Sequence, residues 1–283
     1  MNKYIFFGSS RFSVLVLEEL KRVALLPALI VTVPDQKKGR GLKSASSLVK
    51  DWALSNNISV LNPETYDDVF KNEILKTGVE TFAIASYGKI IPQNILEVGK
   101  QGTLNVHPSL LPKYRGATPI ASQILSDDRE VGVTIMLVDE KVDHGPIIAQ
   151  EKVSLSEWPM RASSLQELLG TEGGALLVKT LIEWFQGKRE SIPQDHSAAT
   201  FTKKIKKEDG LITLEDDPYT NYLKLCAYDD SVGTYFFVSK NGKDIRVKIT
   251  DATFEEGAFK PLRVIPEGGK EMSYQDFLRG LTS

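Results

Sequence analysis

Apolar positions in the first 110 residues come in short runs separated by polar or glycine-rich breaks. Lys3 to Phe7 is one such run and ends at Gly8-Ser9-Ser10; Phe12, Val14, Leu15, Leu17 and Leu20 then fall at helical spacing. That pattern predicts a strand, a tight turn and an amphipathic helix. Leu29 to Val33 predicts a second strand, Pro34 to Ser47 a polar loop, and Leu48, Val49, Trp52 and Ala53 one face of a helix. Further strands are predicted at residues 58–61, 82–85 and 103–106, with helical stretches between them. Strands alternating with helices predict an α/β fold built from right-handed βαβ units around a mostly parallel, Rossmann-like sheet.

Past position 130 the pattern changes. Residues 132–138 and 147–153 read as two strands joined by a turn at Asp143-His144-Gly145, and residues 163–185 as a long amphipathic helix. The polar stretch 186–200 reads as a linker, with His196 solvated in it. From Phe201 onward the chain is β-rich, with runs at 233–238, 245–249 and 262–265, and Asn241-Gly242 between the first two is a hairpin signal. The division expected is residues 1–185 as one large domain, 186–200 as linker and 201–283 as a small β domain.

Composition narrows the classes. The chain has 283 residues, 41% hydrophobic and 25% charged, ordinary values for a protein with a sizeable core. A net charge of −2 means that any nucleic-acid partner must be held by local basic patches. The single cysteine, Cys226, excludes a disulfide framework or a cysteine-rich metal site. The opening apolar run is too short for a signal peptide, and nothing approaches the roughly 20 apolar residues of a membrane span, so a cytoplasmic protein is expected. Gly8-Ser9-Ser10 lacks the glycine spacing of a dinucleotide fingerprint.

The chemistry concentrates between 105 and 143. In open α/β sheets ligands bind beyond the carboxyl ends of the strands, and Asn105 and His107 fall at such an end. Two residues apart on extended chain, they point the same way. An amide and an imidazole side by side suit acyl transfer to an amine: Asn105 can donate to a developing oxyanion, and His107 can assist that charge or move the proton. A carboxylate is needed to fix the histidine tautomer, and Asp143 on its glycine-containing turn is the candidate. An Asn-x-His pair is also a common local hydrogen-bonding arrangement, and His144 competes with His107 for the role.

The run Asn105-Val-His-Pro-Ser-Leu-Leu-Pro112, then Tyr114-Arg-Gly-Ala-Thr-Pro119 and Asp143-x-Gly145, resembles the signature of the folate-dependent formyltransferases. Within that superfamily the chain is most similar to the methionyl-tRNA formyltransferases. Phe6-Phe-Gly-Ser-Ser10 resembles their first strand and turn, and Pro34-Asp35 with Gly39-Arg40-Gly41 their tRNA-reaching loop. Residues 203–210 and 268–278 resemble their carboxy-terminal domain, here an abbreviated OB-like barrel. The resemblance implies catalytic roles for Asn105, His107 and Asp143, with 10-formyltetrahydrofolate as donor and initiator methionyl-tRNA as acceptor. It also implies a folate pocket at Ser86, Tyr87, Gly88 and Ile90, with Ser109, Leu110, Leu111 and Pro112 shaping one wall. No metal, membrane or obligate protein partner is implied.

Two basic clusters are candidate tRNA contacts: Lys37, Lys38, Arg40 and Lys43 after the second strand, and Lys203, Lys204, Lys206 and Lys207. Yet residues 201–283 hold 13 Lys and Arg against 14 Asp and Glu, so the small domain is no basic platform. Tyr235, Phe236 and Phe237 read as core in preference to a base-stacking surface. Competing readings keep the chemistry but change the acceptor to an amino sugar, a ribonucleotide amine or water. Another makes the chain a non-catalytic RNA-binding protein. The basic loop argues against a small acceptor, and the intact trio against a retired site.

Overall fold

The computed structural model describes residues 3–38, 43–240 and 242–281. The chain divides into two compact units. Unit 1 comprises Met1–Arg115, Glu130–Val153 and Gln166–Phe201; unit 2 comprises Gly116–Arg129, Ser154–Leu165 and Thr202–Ser283.

In chain order the first elements are β1 (Ile5–Gly8), α1 (Arg11–Arg22), β2 (Leu29–Val31), β3 (Gln36–Lys38), β4 (Lys43–Ala45) and α2 (Leu48–Ser55). They are followed by β5 (Val60–Leu61), α3 (Asp68–Lys76), β6 (Phe82–Ala85), α4 (Gln93–Leu96) and β7 (Thr103–His107). Next come α5 (Pro119–Leu125), β8 (Gly132–Leu137), β9 (Ile147–Lys152) and α6 (Ala162–Phe185). The remainder holds α7 (Pro218–Ala227), β10 (Thr234–Lys240), β11 (Lys243–Glu255), β12 (Ala258–Pro266), β13 (Met272–Ser273) and α8 (Tyr274–Leu281).

Unit 1 is built on a seven-stranded sheet of order β5-β2-β1-β6-β7-β8-β9. The first five strands run parallel, and β8 and β9 close the edge antiparallel. β1 is buried along its whole length, because helices cover both faces of a parallel sheet. Ser10 caps α1 by accepting from Ser13 N, which turns the chain sharply out of β1. One core cluster packs Phe7, Val31, Phe70, Ile74, Phe82 and Ile95 against the sheet. On α6, Gly173 lies so near β7 that a Cβ there would stand 2.8 Å from Val106 Cγ1. Within the stretch expected as a loop, residues 36–38 and 43–45 instead pair as two short antiparallel strands, with Lys37 opposite Ser44 and Lys38 opposite Lys43.

Unit 2 is a four-stranded antiparallel meander, β10-β11-β12-β13. The described sheet is one strand short of a five-stranded OB barrel. The β10–β11 hairpin turns where Asn241-Gly242 predicts; Gly242 has φ +75°, and Asn241 lies outside the described residues. Phe236, Val247, Ile249 and Val264 form the inner face with Leu225 of α7 and Phe277 of α8. The reading of the aromatic trio as core holds for Tyr235 and Phe236, which are 8% and 6% exposed, but not for Phe237 at 52%. Alternation turns Phe236 inward and puts Tyr235 and Phe237 together on the opposite face, where Arg246 lies over the Tyr235 ring at 3.7 Å and Phe237 stays open. Among the described residues no helix is long and apolar enough to cross a membrane.

Candidate active site

β7 delivers Asn105 and His107 to one place. Asn105 faces Met136 of β8 across the ladder and His107 faces Thr134. His107 is 3% exposed and Asn105 half-buried. The third member comes from the turn between β8 and β9. There Gly145 is required, since a Cβ would fall 2.0 Å from the Leu137 carbonyl oxygen. Asp143 takes φ +48°, a left-handed conformation that costs a non-glycine residue about 1–3 kcal/mol.

The three side chains converge. Asn105 Nδ2 donates to Asp143 Oδ1 at 3.5 Å, and His107 Nδ1 lies 3.7 Å from Asp143 Oδ2. That second separation is too long for a direct hydrogen bond. His107 Nε2 stands 3.1 Å from the carbonyl oxygen of Tyr114, which can only accept, so Nε2 carries the hydrogen. The tautomer expected to be set by Asp143 is therefore set by a backbone carbonyl. Tyr114 aims that carbonyl through its own left-handed conformation, φ +61°. Burial lowers the imidazole below its ordinary pKa; the Asp143 carboxylate and the Tyr114 carbonyl push it back up, and Arg115 lowers it again. Burial dominates, so His107 rests neutral with a bare Nδ1 turned toward a carboxylate. Two acceptors thus face each other beside an amide donor, an arrangement that suits a guest with N–H groups.

A cavity of about 450 Å³ opens beside the trio and has Asn105 and Asp143 in its wall. That volume suits a small-molecule site. Ile84, Tyr87, Ile91, Leu96, Met136 and Val138 make it apolar, while Asp139 and Lys141 add polar groups. A flat heterocycle with polar edges fits such a lining. Of the residues read as folate-binding, Tyr87 and Ile90 line the cavity, whereas Ser86, Gly88, Ser109, Leu110, Leu111 and Pro112 do not. Ser109 and Leu111 are buried, with Ser109 Oγ donating to Lys113 O and Leu111 N to Thr134 Oγ1. They brace the loop after β7 from behind. The second wall comes from residues 136–142, which sequence reasoning missed because it depends on the register of β8 against β7.

His144 takes no part with Asn105. Its Nδ1 lies 2.7 Å from Asp139 Oδ2, and its ring stacks on His196 at 4.0 Å between centroids. His196 is exposed, as expected, but it is also held by that stack and by Arg115 Nη2 at 3.0 Å. The stretch expected as a plain linker is thus tied into unit 1, of which it forms part. Ile192 bridges Ile147, Thr200 Oγ1 accepts from Tyr114 N at 2.8 Å, and Gln194 is buried. Cys226 is buried and its thiol is pushed up to about 11, which removes it as a nucleophile.

Lys203, Lys204, Lys206 and Lys207 are all exposed. Lys37, Lys38 and Lys43 have a described backbone in β3 and β4, and Arg40 lies outside the described residues.

Comparison with known proteins follows the same lines. Residues 2–181 match the family model described as formyl transferase. The methionyl-tRNA formyltransferase of Carboxydothermus hydrogenoformans is 34% identical over 98% of this chain and 96% of its own. The solved methionyl-tRNA formyltransferase from Clostridium thermocellum superposes with TM-score 0.66 over 96% of this chain and all of its own, at 13% identity. The N-formyltransferase from Helicobacter canadensis, solved with folinic acid and dTDP-3-aminofucose, gives TM-score 0.64 at 21% identity, over 90% of this chain and 89% of its own.

Proposed function

The chain belongs to the formyl transferase family, and from that premise we propose that it formylates the free α-amine of methionine esterified to initiator tRNA. The donor in this reading is 10-formyltetrahydrofolate, which supplies an activated formyl carbon when bound. The observation that carries the proposal is the Asn105–His107–Asp143 cluster at the wall of an apolar cavity.

In this reading the incoming amine presents its N–H groups to His107 Nδ1 and the Asp143 carboxylate. Asn105 Nδ2 donates to the oxygen on which negative charge develops. The amine nitrogen bonds to the formyl carbon and its proton passes to His107 Nδ1, which is bare because Nε2–H is committed to the Tyr114 carbonyl. When the tetrahedral carbon collapses, its bond to the folate nitrogen breaks and His107 returns that proton to the leaving nitrogen, ending neutral. Lys37, Lys38, Arg40, Lys43, Lys203, Lys204, Lys206 and Lys207 meet tRNA phosphates. In this reading residues 1–185 are the catalytic domain, 186–200 the connection and 201–283 the small β domain; the family match over residues 2–181 supports the first of these. A cytoplasmic location goes with this reading.

The test is incubation with the formyl-folate and four acceptors: charged initiator tRNA, charged elongator tRNA, an amino sugar nucleotide and water. Formyl product on the initiator alone is expected; preferential formylation of the sugar would overturn the assignment. Charge reversal at Lys203, Lys204, Lys206 and Lys207 should raise KM for tRNA roughly tenfold or more and flatten its salt dependence, while KM for folate stays put.

A further inference from the structure

Gln194 sits in a surface stretch, between exposed Pro193 and Asp195, yet is 6% exposed itself. Its carboxamide is used from both ends. Nε2 donates to the Asp143 carbonyl at 3.0 Å and to the Gly145 carbonyl at 2.7 Å. Oε1 accepts from Arg115 Nε at 3.2 Å and Nη2 at 2.6 Å. Arg115 is 2% exposed, and its backbone N–H is tied to the Thr200 carbonyl at 2.9 Å. A buried guanidinium has five donors and no acceptor, so it fixes which way the Gln194 amide faces. With the oxygen held by Arg115, the amide nitrogen can only point at the turn.

The two carbonyls it holds belong to Asp143 and to the residue two places on. They bracket the turn that keeps Asp143 left-handed. Such a conformation persists only where surrounding contacts over-determine it. We infer that Gln194 is a positioning residue, which locks the turn that aims the Asp143 carboxylate at His107, and that Arg115 keeps Gln194 in its donating orientation. This rests on the reading of Asp143 given above, and it assigns a catalytic consequence to a residue of the segment read as a connection.

Two variants separate donation from packing. Gln194→Glu keeps the shape and the pairing with Arg115 but turns an acceptor on the two carbonyls. Gln194→Met keeps the length and adds no charge. Both should lower kcat by about 10²-fold, the scale set by a displacement of about 1 Å at a reacting group, with KM for the formyl-folate little changed. In Gln194→Met the acid limb of the kcat profile should move to lower pH, because the Asp143 carboxylate raises the His107 pKa and would stand farther off. Hydrogen exchange at the amides of 143–145, measured without substrate, should quicken in both variants by more than at core amides of the same sheet, which separates local loosening of the turn from a general loss of stability. Wild-type kcat and wild-type exchange in Gln194→Glu would overturn the inference. If the wild-type protein itself makes no formyl product, the proposed function fails instead, and the exchange comparison still decides the role of Gln194.

Discussion

The two sheets of the molecule treat polarity differently. Five parallel strands and an antiparallel edge form the first, and β1, β2, β7 and β8 are buried on both faces for most of their length. In such strands a polar side chain needs a reason. Thr134 has one, since its hydroxyl donates to Ser109 O at 2.6 Å and accepts from Gln150 Nε2 at 2.9 Å. His107 has another in the Tyr114 carbonyl, and Asn105 in Asp143. The second sheet alternates, with Phe236, Val247 and Ile249 inward and Phe237 and Lys248 exposed on the other side. There a polar residue is the default and says nothing about function. Polar exceptions inform only where the background is apolar.

That contrast can be broken at either end. The largest effect expected is on stability: Phe236→Ala should cost about 3–5 kcal/mol in denaturant melts, as aromatic truncations in packed cores do. Asn105→Ala should leave the melt nearly unmoved and lower kcat by about 10²–10³-fold, the worth of an oxyanion donor. A large loss of stability there would mean that Asn105 is scaffolding and the apolar sheet carries no mark of chemistry. Asp143→Asn tolerates the left-handed backbone and removes only the charge. It should lower kcat by about 10²-fold. It should also carry the acid limb of the pH profile downward, since the lost carboxylate had raised a His107 pKa that burial depresses. An upward shift would place the carboxylate's influence elsewhere. Smallest of all, Phe237→Ala should change stability by less than about 1 kcal/mol, one residue from a position where the same truncation is severe.

Much of the first sheet was legible because buried strands are continuous apolar runs, and the Asn105–His107 pair because it interrupts one. The turn at 143–145 could be read from Gly145 and its place between two apolar runs. The pairing of 36–38 with 43–45 could not, since those strands are short and polar in sequence. Nor could the cavity wall at 136–142, which depends on the pairing of Asn105 with Met136. Gln194 left no trace among polar neighbours; nothing in its spacing tells a buried glutamine from a solvated one. The helix 218–227 had a signal that went unused: Asp217 caps it, with Pro218 as its first residue.

Gly173 has a consequence that reaches beyond packing. It stands a full layer away from any reacting group, yet the methyl it lacks would press on Val106, the residue threaded between Asn105 and His107. The back of the sheet therefore sets a tolerance for the front. A side chain added at this helix position would be felt at the front as mis-aimed chemistry, through a strand that the helix itself never crosses.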